Sequence, residues 1–304
     1  MRKIKITLPA TATDLGPGLN SLGLAVGLYC AVEIVERRDE TLLVETEGEG
    51  AGHYPIGLRH PVVLGLMRIF QQQERAPLGF SVRVDNHIPL DSGLGAETAF
   101  WVAGIIGANN LLGNPYPRSR ILEMAALFTR QPDSAVTAIL GGLTTSILES
   151  DVLTYRALPV TPMQVIVVLP ELENYAGESR LARPERVAAA DALYNLSRVP
   201  LLVEALRAGD PTLITRVMDD RLRLPYLKPH IPGYDHAFEM ARRAGAIAMT
   251  PSGNGPALLV FAVENHRTIA TTLEVAFENA GVKARSWVLP LDTQGVVISA
   301  AQSA

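Results

Sequence analysis

The chain reads as a two-domain α+β protein, and three features of its 304 residues lead there. Hydrophobic residues make up 48% and charged residues 19%, a balance that suits one large or two ordinary globular domains and excludes a disordered or collagen-like chain. Strand-like alternation and helix-length apolar stretches are mixed in both halves instead of alternating one for one. Near Pro159 to Pro162 the pattern breaks and restarts with a strongly apolar strand, which puts the expected division at residues 1–160 and 161–304.

Lys3 to Leu8 alternates as a strand, and Gly23 to Val35 reads as extended apolar segments; a Gly/Pro turn is expected between them. Arg37 to Thr46 fits a hairpin arm and Glu47 to Gly57 a surface loop. Pro61 to Gln73 is a helix with proline in its first turn, where the missing N–H costs nothing. Phe80 to Asn86 is a strand, and the glycine-rich IPLDSGLG (Ile88 to Gly95) opens onto an apolar helix, Ala96 to Leu112. Arg118 to Phe128 and Gln131 to Leu140 are helices, the second stopped by Gly141 and Gly142. Thr144 to Leu148 and Leu153 to Ala157 complete the first half as strands.

In the second half Gln164 to Leu169 is a strand, Pro184 to Ala208 and Asp210 to Leu222 are helices, and PYLKPHIPGYD (Pro225 to Asp235) is turn-rich. A helix at Ala237 to Gly245 leads to a strand, Ala246 to Met249, the loop TPSGNGP and a strand, Ala257 to Val263. Helix Arg267 to Ala280 and strands near Arg285 to Leu289 and Gly295 to Ser299 close the chain.

Charge and cysteine content narrow the function classes. Lys and Arg number 27 against 31 Asp and Glu, a net charge of −4, so no basic field exists to grip nucleic acid. A lone cysteine, Cys30, forms no internal disulfide and begins no CxxC site, and MRKIKITLPA turns into a strand instead of a signal-peptide core. The expectation is a cytoplasmic protein that engages neither nucleic acid nor membrane, since no uninterrupted apolar run of ~20 residues occurs.

The sharpest feature is the loop Pro89 to Gly95 feeding the helix at Ala96. Glycines let backbone approach a ligand closely, successive N–H groups converge on an anion, and the helix start adds about half a positive charge. No Gly-Lys-Ser/Thr and no third glycine follow, so it is neither a Walker A loop nor a dinucleotide fingerprint. It is a phosphate cradle or a plain strand-to-helix turn.

Two further segments join it. PATATDLGPGLNSLGLA (Pro9 to Ala25), the glycine loop and TPSGNGPALLVF (Thr250 to Phe261) together resemble the three motifs of the GHMP small-molecule kinases, in particular the homoserine kinase family, and QPDSAVTAILGG (Gln131 to Gly142) resembles that family's H-x-D-N block. The resemblance implies a ribosomal-protein-S5-like N-terminal domain holding ATP and a ferredoxin-like C-terminal domain. It further implies Mg2+-dependent transfer of the ATP γ-phosphoryl group to the hydroxyl of a small alcohol, L-homoserine in threonine biosynthesis; relatives of this kind are often dimers. Nucleotide contacts then fall on Pro89, Ser92, Gly93, Leu94, Gly95, Ala96, Glu97, Thr98, Ser252 and Gly253. Glu123 and Thr98 are the expected metal ligands, Arg180 and Asp133 the catalytic pair, and Asp14, Asn20, Ser134 and Arg180 the acceptor contacts.

Several positions depart from the family pattern. Two serines after G-L-G become Ala96 and Glu97, with Thr98 supplying a hydroxyl one place later. A carboxylate ~4 Å from a phosphate charge costs about 4 kcal/mol at an effective dielectric near 20, so Glu97 turns away, takes a metal ion, or weakens nucleotide binding. At the acceptor side Asn20 stands for an aspartate, Ser134 for an asparagine, Gln131 for a histidine and Leu227 for an arginine. Three readings follow: a homoserine kinase whose charges come from Arg183, Arg223 or Lys228; a kinase for a less zwitterionic alcohol; or a non-catalytic relative that binds a ligand or partner.

Overall fold

The computed structural model describes residues 2–173, 175 and 184–302. Its first layer is a 7-stranded sheet. The strands β1 (Arg2–Leu15), β2 (Gly18–Arg37), β4 (Gly79–Asn86) and β3 (Leu42–Gly48) lie side by side, and β5 (Leu143–Glu149) and β6 (Val152–Leu158) branch from β2. The expected Gly/Pro turn between the first two strands shrinks to Gly16 and Pro17, because the PATATD motif continues β1 through register shifts after Pro9 and Thr13. These bulges re-aim the strand end and leave Asp14 and Asn20 with left-handed backbone, φ 57° and 52°.

Helices α1 (Pro61–Gln72), α2 (Ala96–Leu111), α3 (Arg118–Thr129) and α4 (Pro132–Leu140) cover this sheet. Helix α2 is apolar around nearly its whole circumference because it is central: it packs on β1 and β2 below and on α1, α3 and α4 at its sides. Its start is therefore held rigidly at the sheet's end.

The second layer is a 4-stranded antiparallel sheet in the order β10 (Ala284–Pro290), β7 (Gln164–Pro170), β9 (Leu258–Ala262), β8 (Ala246–Pro251). This fourth-first-third-second order is the ferredoxin-like arrangement expected. From Val165 to Pro170 the β7 strand is apolar because both faces are buried. Ile166 and Val168 meet α8 (Tyr234–Arg243) and α9 (His266–Asn279), while Val165, Val167 and Leu169 join the core shared with the first layer. That shared side also takes Leu202 and Leu206 from α5 (Ala189–Ala208) and Ile214 from α6 (Pro211–Val217).

Three expectations need correction. The final strand, β11 (Val297–Gln302), pairs antiparallel with β1, so the unit 161–304 does not hold its own C-terminal strand. Helix α5 begins at Ala189, since Pro184 to Ala188 take irregular backbone. The helix expected over Asp210 to Leu222 stops at Val217, because the Asp220 carboxylate gathers the backbone N–H groups of Leu222, Arg223 and Leu224 at 2.7–3.3 Å and starts a new short helix, α7 (Leu224–Leu227).

Candidate active site

The three glycine-bearing segments, far apart in sequence, meet at one point. Thr11 N–H donates to Leu94 O at 2.9 Å, Gly253 N–H to Thr13 O at 2.9 Å, and Ala257 N–H to Ser92 O at 3.0 Å. The Ser252 hydroxyl closes the junction on Gly93 O at 2.8 Å. Backbones this close leave no room for side chains: a β-carbon on Gly93, whose φ is +85°, would lie 2.0 Å from Ser252 O, and one on Gly255 would lie 1.9 Å from the Ser92 carbonyl carbon.

Beside this junction opens a cleft of about 270 Å³. Its mouth is Tyr54, Pro89, Leu90, Asp91, Gly93, Gly95, Ala96 and Glu97, and Gly253, Asn254 and Gly255 face them. At α2 the N-cap is Gly95, with no side-chain cap among the described residues, and the first-turn residues Ala96, Glu97 and Thr98 line the cleft. An anion fits there. Thr13, Asp14, Asn20, Gln131, Asp133 and Ser134 line the rest of the cleft.

The expected nucleotide residues divide by task. Pro89, Gly93, Gly95, Ala96, Glu97, Thr98 and Gly253 line the cleft. Ser92 lines it too, but its hydroxyl donates to Pro89 O at 2.7 Å and accepts from Leu94 N–H at 3.2 Å, so its side chain builds the loop. Leu94 is 1% exposed and its N–H is thereby taken, which makes it a core residue. Ser252, fully buried and bonded to Gly93 O, is a clamp on the loop and not a ligand contact.

Glu123 stands apart from the cleft lining. Helix α3 turns Ile121, Leu122, Met124 and Ala125 to the core, which leaves Glu123 on the outer face, 41% exposed and paired with Arg120 at 2.9 Å. It does not line the cleft. Thr98, the other expected metal ligand, lines the cleft but is 2% exposed and donates its hydroxyl to Gln131 at 3.1 Å. The carboxylates that do reach the cleft's mouth are Glu97 and Asp91, and both act on the Tyr54 hydroxyl, which burial and their charges push up to about 12. Arg180 and Arg183 lie outside the described residues. Arg130, unforeseen in the sequence, puts a cation at the cleft, with an exposed ion pair to Asp151 at 3.4 Å.

The acceptor end is a charged network. Asp133, at the start of α4, is 9% exposed. Burial, reinforced by the nearby Asp14 charge, raises its carboxyl to about 6; the Ser134 N–H at 2.9 Å and the Arg223 charge pull the other way. Asp14 accepts the Asn20 N–H on Oδ1 at 2.6 Å and the Arg223 guanidinium on Oδ2 at 2.9 Å. Ser134 bonds Thr11 hydroxyl to hydroxyl at 2.7 Å behind Gly95, so it buttresses the glycine loop. Leu227 is 3% exposed in the core, consistent with a position that has given up its charge.

Comparison with known proteins gives concordant results. The description "GHMP kinases N terminal domain" matches residues 62–142, and "GHMP kinases C terminal" matches residues 202–281. The homoserine kinase of Moorella thermoacetica is 33% identical over 294 residues, covering 96% of this chain and 99% of that protein. The homoserine kinase of a Synechocystis species is 32% identical over 303 residues, covering 98% and 99%. Among solved structures, a homoserine kinase from Cytophaga hutchinsonii superposes with a TM-score of 0.86 at 24% identity, covering 98% of this chain and 97% of that one. A mevalonate kinase from Methanococcus jannaschii shares the fold more loosely, with a TM-score of 0.71 at 12% identity over 94% and 98% of the chains.

Proposed function

The chain belongs to the homoserine kinase family of the GHMP kinases, and we propose that it transfers the γ-phosphoryl group of ATP to the side-chain hydroxyl of L-homoserine. The observation that carries this reading is the cleft itself, where an uncapped helix start and a glycine junction face a buried carboxylate across one continuous space. Kinase chemistry needs donors for phosphate oxygens, a proton acceptor and a positioned alcohol, and these are what the two ends offer.

In this reading ATP supplies the phosphoryl group, and Glu97 would hold Mg2+, which would offset the negative charge of the phosphates. Magnesium is usually held by one or two carboxylates plus phosphate, so an exposed glutamate beside the first turn of α2 fits. The N–H groups of Ala96, Glu97 and Thr98 orient the phosphates. Asp133 uses the oxygen not bonded to Ser134 N–H to accept the proton of the acceptor hydroxyl. The hydroxyl oxygen bonds to the γ-phosphorus, the bond to the bridging oxygen breaks, and ADP leaves. Arg180, as the family resemblance suggests, is the cation for the transferred group, and Arg130 stands ready at the rim.

A small-molecule acceptor in the cytoplasm completes the proposal; no helix among the described residues is long and apolar enough to cross a membrane. ADP release coupled to an indicator, measured with homoserine, threonine and mevalonate-like alcohols, tests it. Homoserine is expected to be turned over best, and turnover of another alcohol alone would replace it as substrate. Thermal melting provides a parallel check: MgATP at about 100 times its Kd should add about 2.7 kcal/mol to stability.

A further inference from the structure

A nucleotide is a polyanion, yet the cleft proposed to hold it is lined by four carboxylates, Asp14, Asp91, Glu97 and Asp133. Among the described residues Arg130 is the one cation lining it. The Arg130 backbone is left-handed, φ 55°, a conformation that glycine adopts freely and a residue with a β-carbon adopts only at a cost. Its side chain is 73% exposed, so packing does not account for an arginine at this strained position beside a polar cleft. The corner that carries it is fixed by hydrogen bonds. Arg130 N–H donates to Ala126 O at 3.0 Å and closes α3; the Thr129 hydroxyl donates to Ala125 O at 2.7 Å and accepts the Gln131 N–H at 3.2 Å, and Pro132 opens α4. The Gln131 side chain accepts the Thr98 hydroxyl at 3.1 Å, which ties this corner to the first turn of α2. The guanidinium itself is held loosely. Asp151, in the turn between β5 and β6, accepts from Nη1 at 3.4 Å and does not line the cleft, and its side chain is 68% exposed. An exposed pair at that distance contributes little and yields to a stronger partner.

We propose that Arg130 exchanges Asp151 for the phosphate oxygens of bound nucleotide, swinging about the fixed corner between α3 and α4 and offsetting the negative charge that Glu97 brings to the same cleft. The proposal rests on the ATP reading and deepens it: nucleotide affinity is set by a competition between phosphate and Asp151 for one guanidinium. Phosphate wins that competition because it offers more oxygens and more charge than a carboxylate to a planar fork of donors. The departure at Glu97 is then compensated by a residue more than thirty positions away, which the Thr98 to Gln131 bond holds beside it.

Calorimetry with MgADP, with no acceptor present, tests this on the unmodified protein, Arg130→Gly, Asp151→Asn and the double variant. Arg130→Gly removes the cation at a backbone conformation that glycine prefers, so its melting temperature should change little. MgADP should nevertheless bind it about 10-fold more weakly, the worth of one charge-assisted hydrogen bond. Asp151→Asn releases the guanidinium and should tighten MgADP about 2- to 5-fold, the scale of an exposed ion pair. In the Arg130→Gly background the same substitution should change nothing. Unaltered MgADP affinity in Arg130→Gly overturns the proposal. So does an Asp151→Asn protein that binds MgADP no more tightly than the unmodified one, or a tightening that survives without Arg130. An unmodified protein that binds no MgADP sinks the ATP reading itself, whereas tight binding indifferent to both substitutions sinks only the role of Arg130.

Discussion

The two ends of the cleft are made of different material. One end is built of backbone: Gly93, Gly95 and the first turn of α2 offer N–H groups, and Ser92 and Ser252 spend their hydroxyls on holding the loop. The other end is lined by the side chains of Asp14, Asn20 and Asp133, each placed by a different segment, with Arg223 paired to Asp14 behind them. Main-chain donors do not change when a side chain is substituted, provided the glycines stay. The nucleotide end therefore tolerates Ala96 and Glu97, while the acceptor end carries visible departures that must be compensated by neighbours.

The largest expected effect tests the acceptor end. Asp133→Asn should cut kcat by about 10²- to 10⁴-fold, the usual worth of a positioned proton acceptor, while MgATP still shifts the melting curve. In the unmodified enzyme the rate should rise with pH through about 6, as the carboxyl loses its proton. The stability effect has the opposite sign. A carboxyl held above its ordinary value of about 4 favours the folded state when protonated, so its contribution is full below that value and is lost as pH rises through about 6. Melting curves of Asp133→Asn should lack this decline.

Next comes the backbone end. Gly93→Ala forces a β-carbon onto Ser252 O from a φ of +85°, and should cost about 2–5 kcal/mol of stability by strain and overpacking combined. Chemical denaturation measures it, and undiminished ATP binding in this variant would show that phosphate is not held by this loop. A smaller change separates the two roles open to Glu97. Glu97→Ala should weaken Mg2+-dependent ADP binding while tightening ADP binding in chelator, because one carboxylate serves the metal and repels bare phosphate. Calorimetry with and without the metal reads both, and a parallel change in the two would leave Glu97 as a helix-start charge alone. Smallest of all, Glu123→Gln should leave kcat/KM for ATP unchanged and alter stability by about 0–1 kcal/mol, the worth of its exposed pair with Arg120.

Much of this was legible from residue order. The helix at Ala96, the strand at Gln164 and the sequence of elements in the second half follow from periodicity, because burial on one or both faces writes itself into the spacing of apolar residues. The glycine loop was legible for the same local reason. The outward placement of Glu123 was not legible, because the packing of Ile121, Leu122, Met124 and Ala125 decides which side of α3 faces the core. Tyr54, Asp91 and Arg130 carried no signal, since each stands in a loop or at a helix end whose position depends on the elements around it.

Glycine placement and apolar period, which act over a few residues, were enough for the two-domain α+β class and the glycine-rich loop, and the kinship with GHMP kinases came from the resemblance of four sequence blocks. The pairing of Asp14 with Arg223, the raised carboxyl of Asp133 and the return of the last strand to the first sheet were settled by folding alone. Each depends on groups more than a hundred residues apart being brought together and withdrawn from water, and both distance and dielectric are properties of the folded assembly that no short stretch of chain encodes.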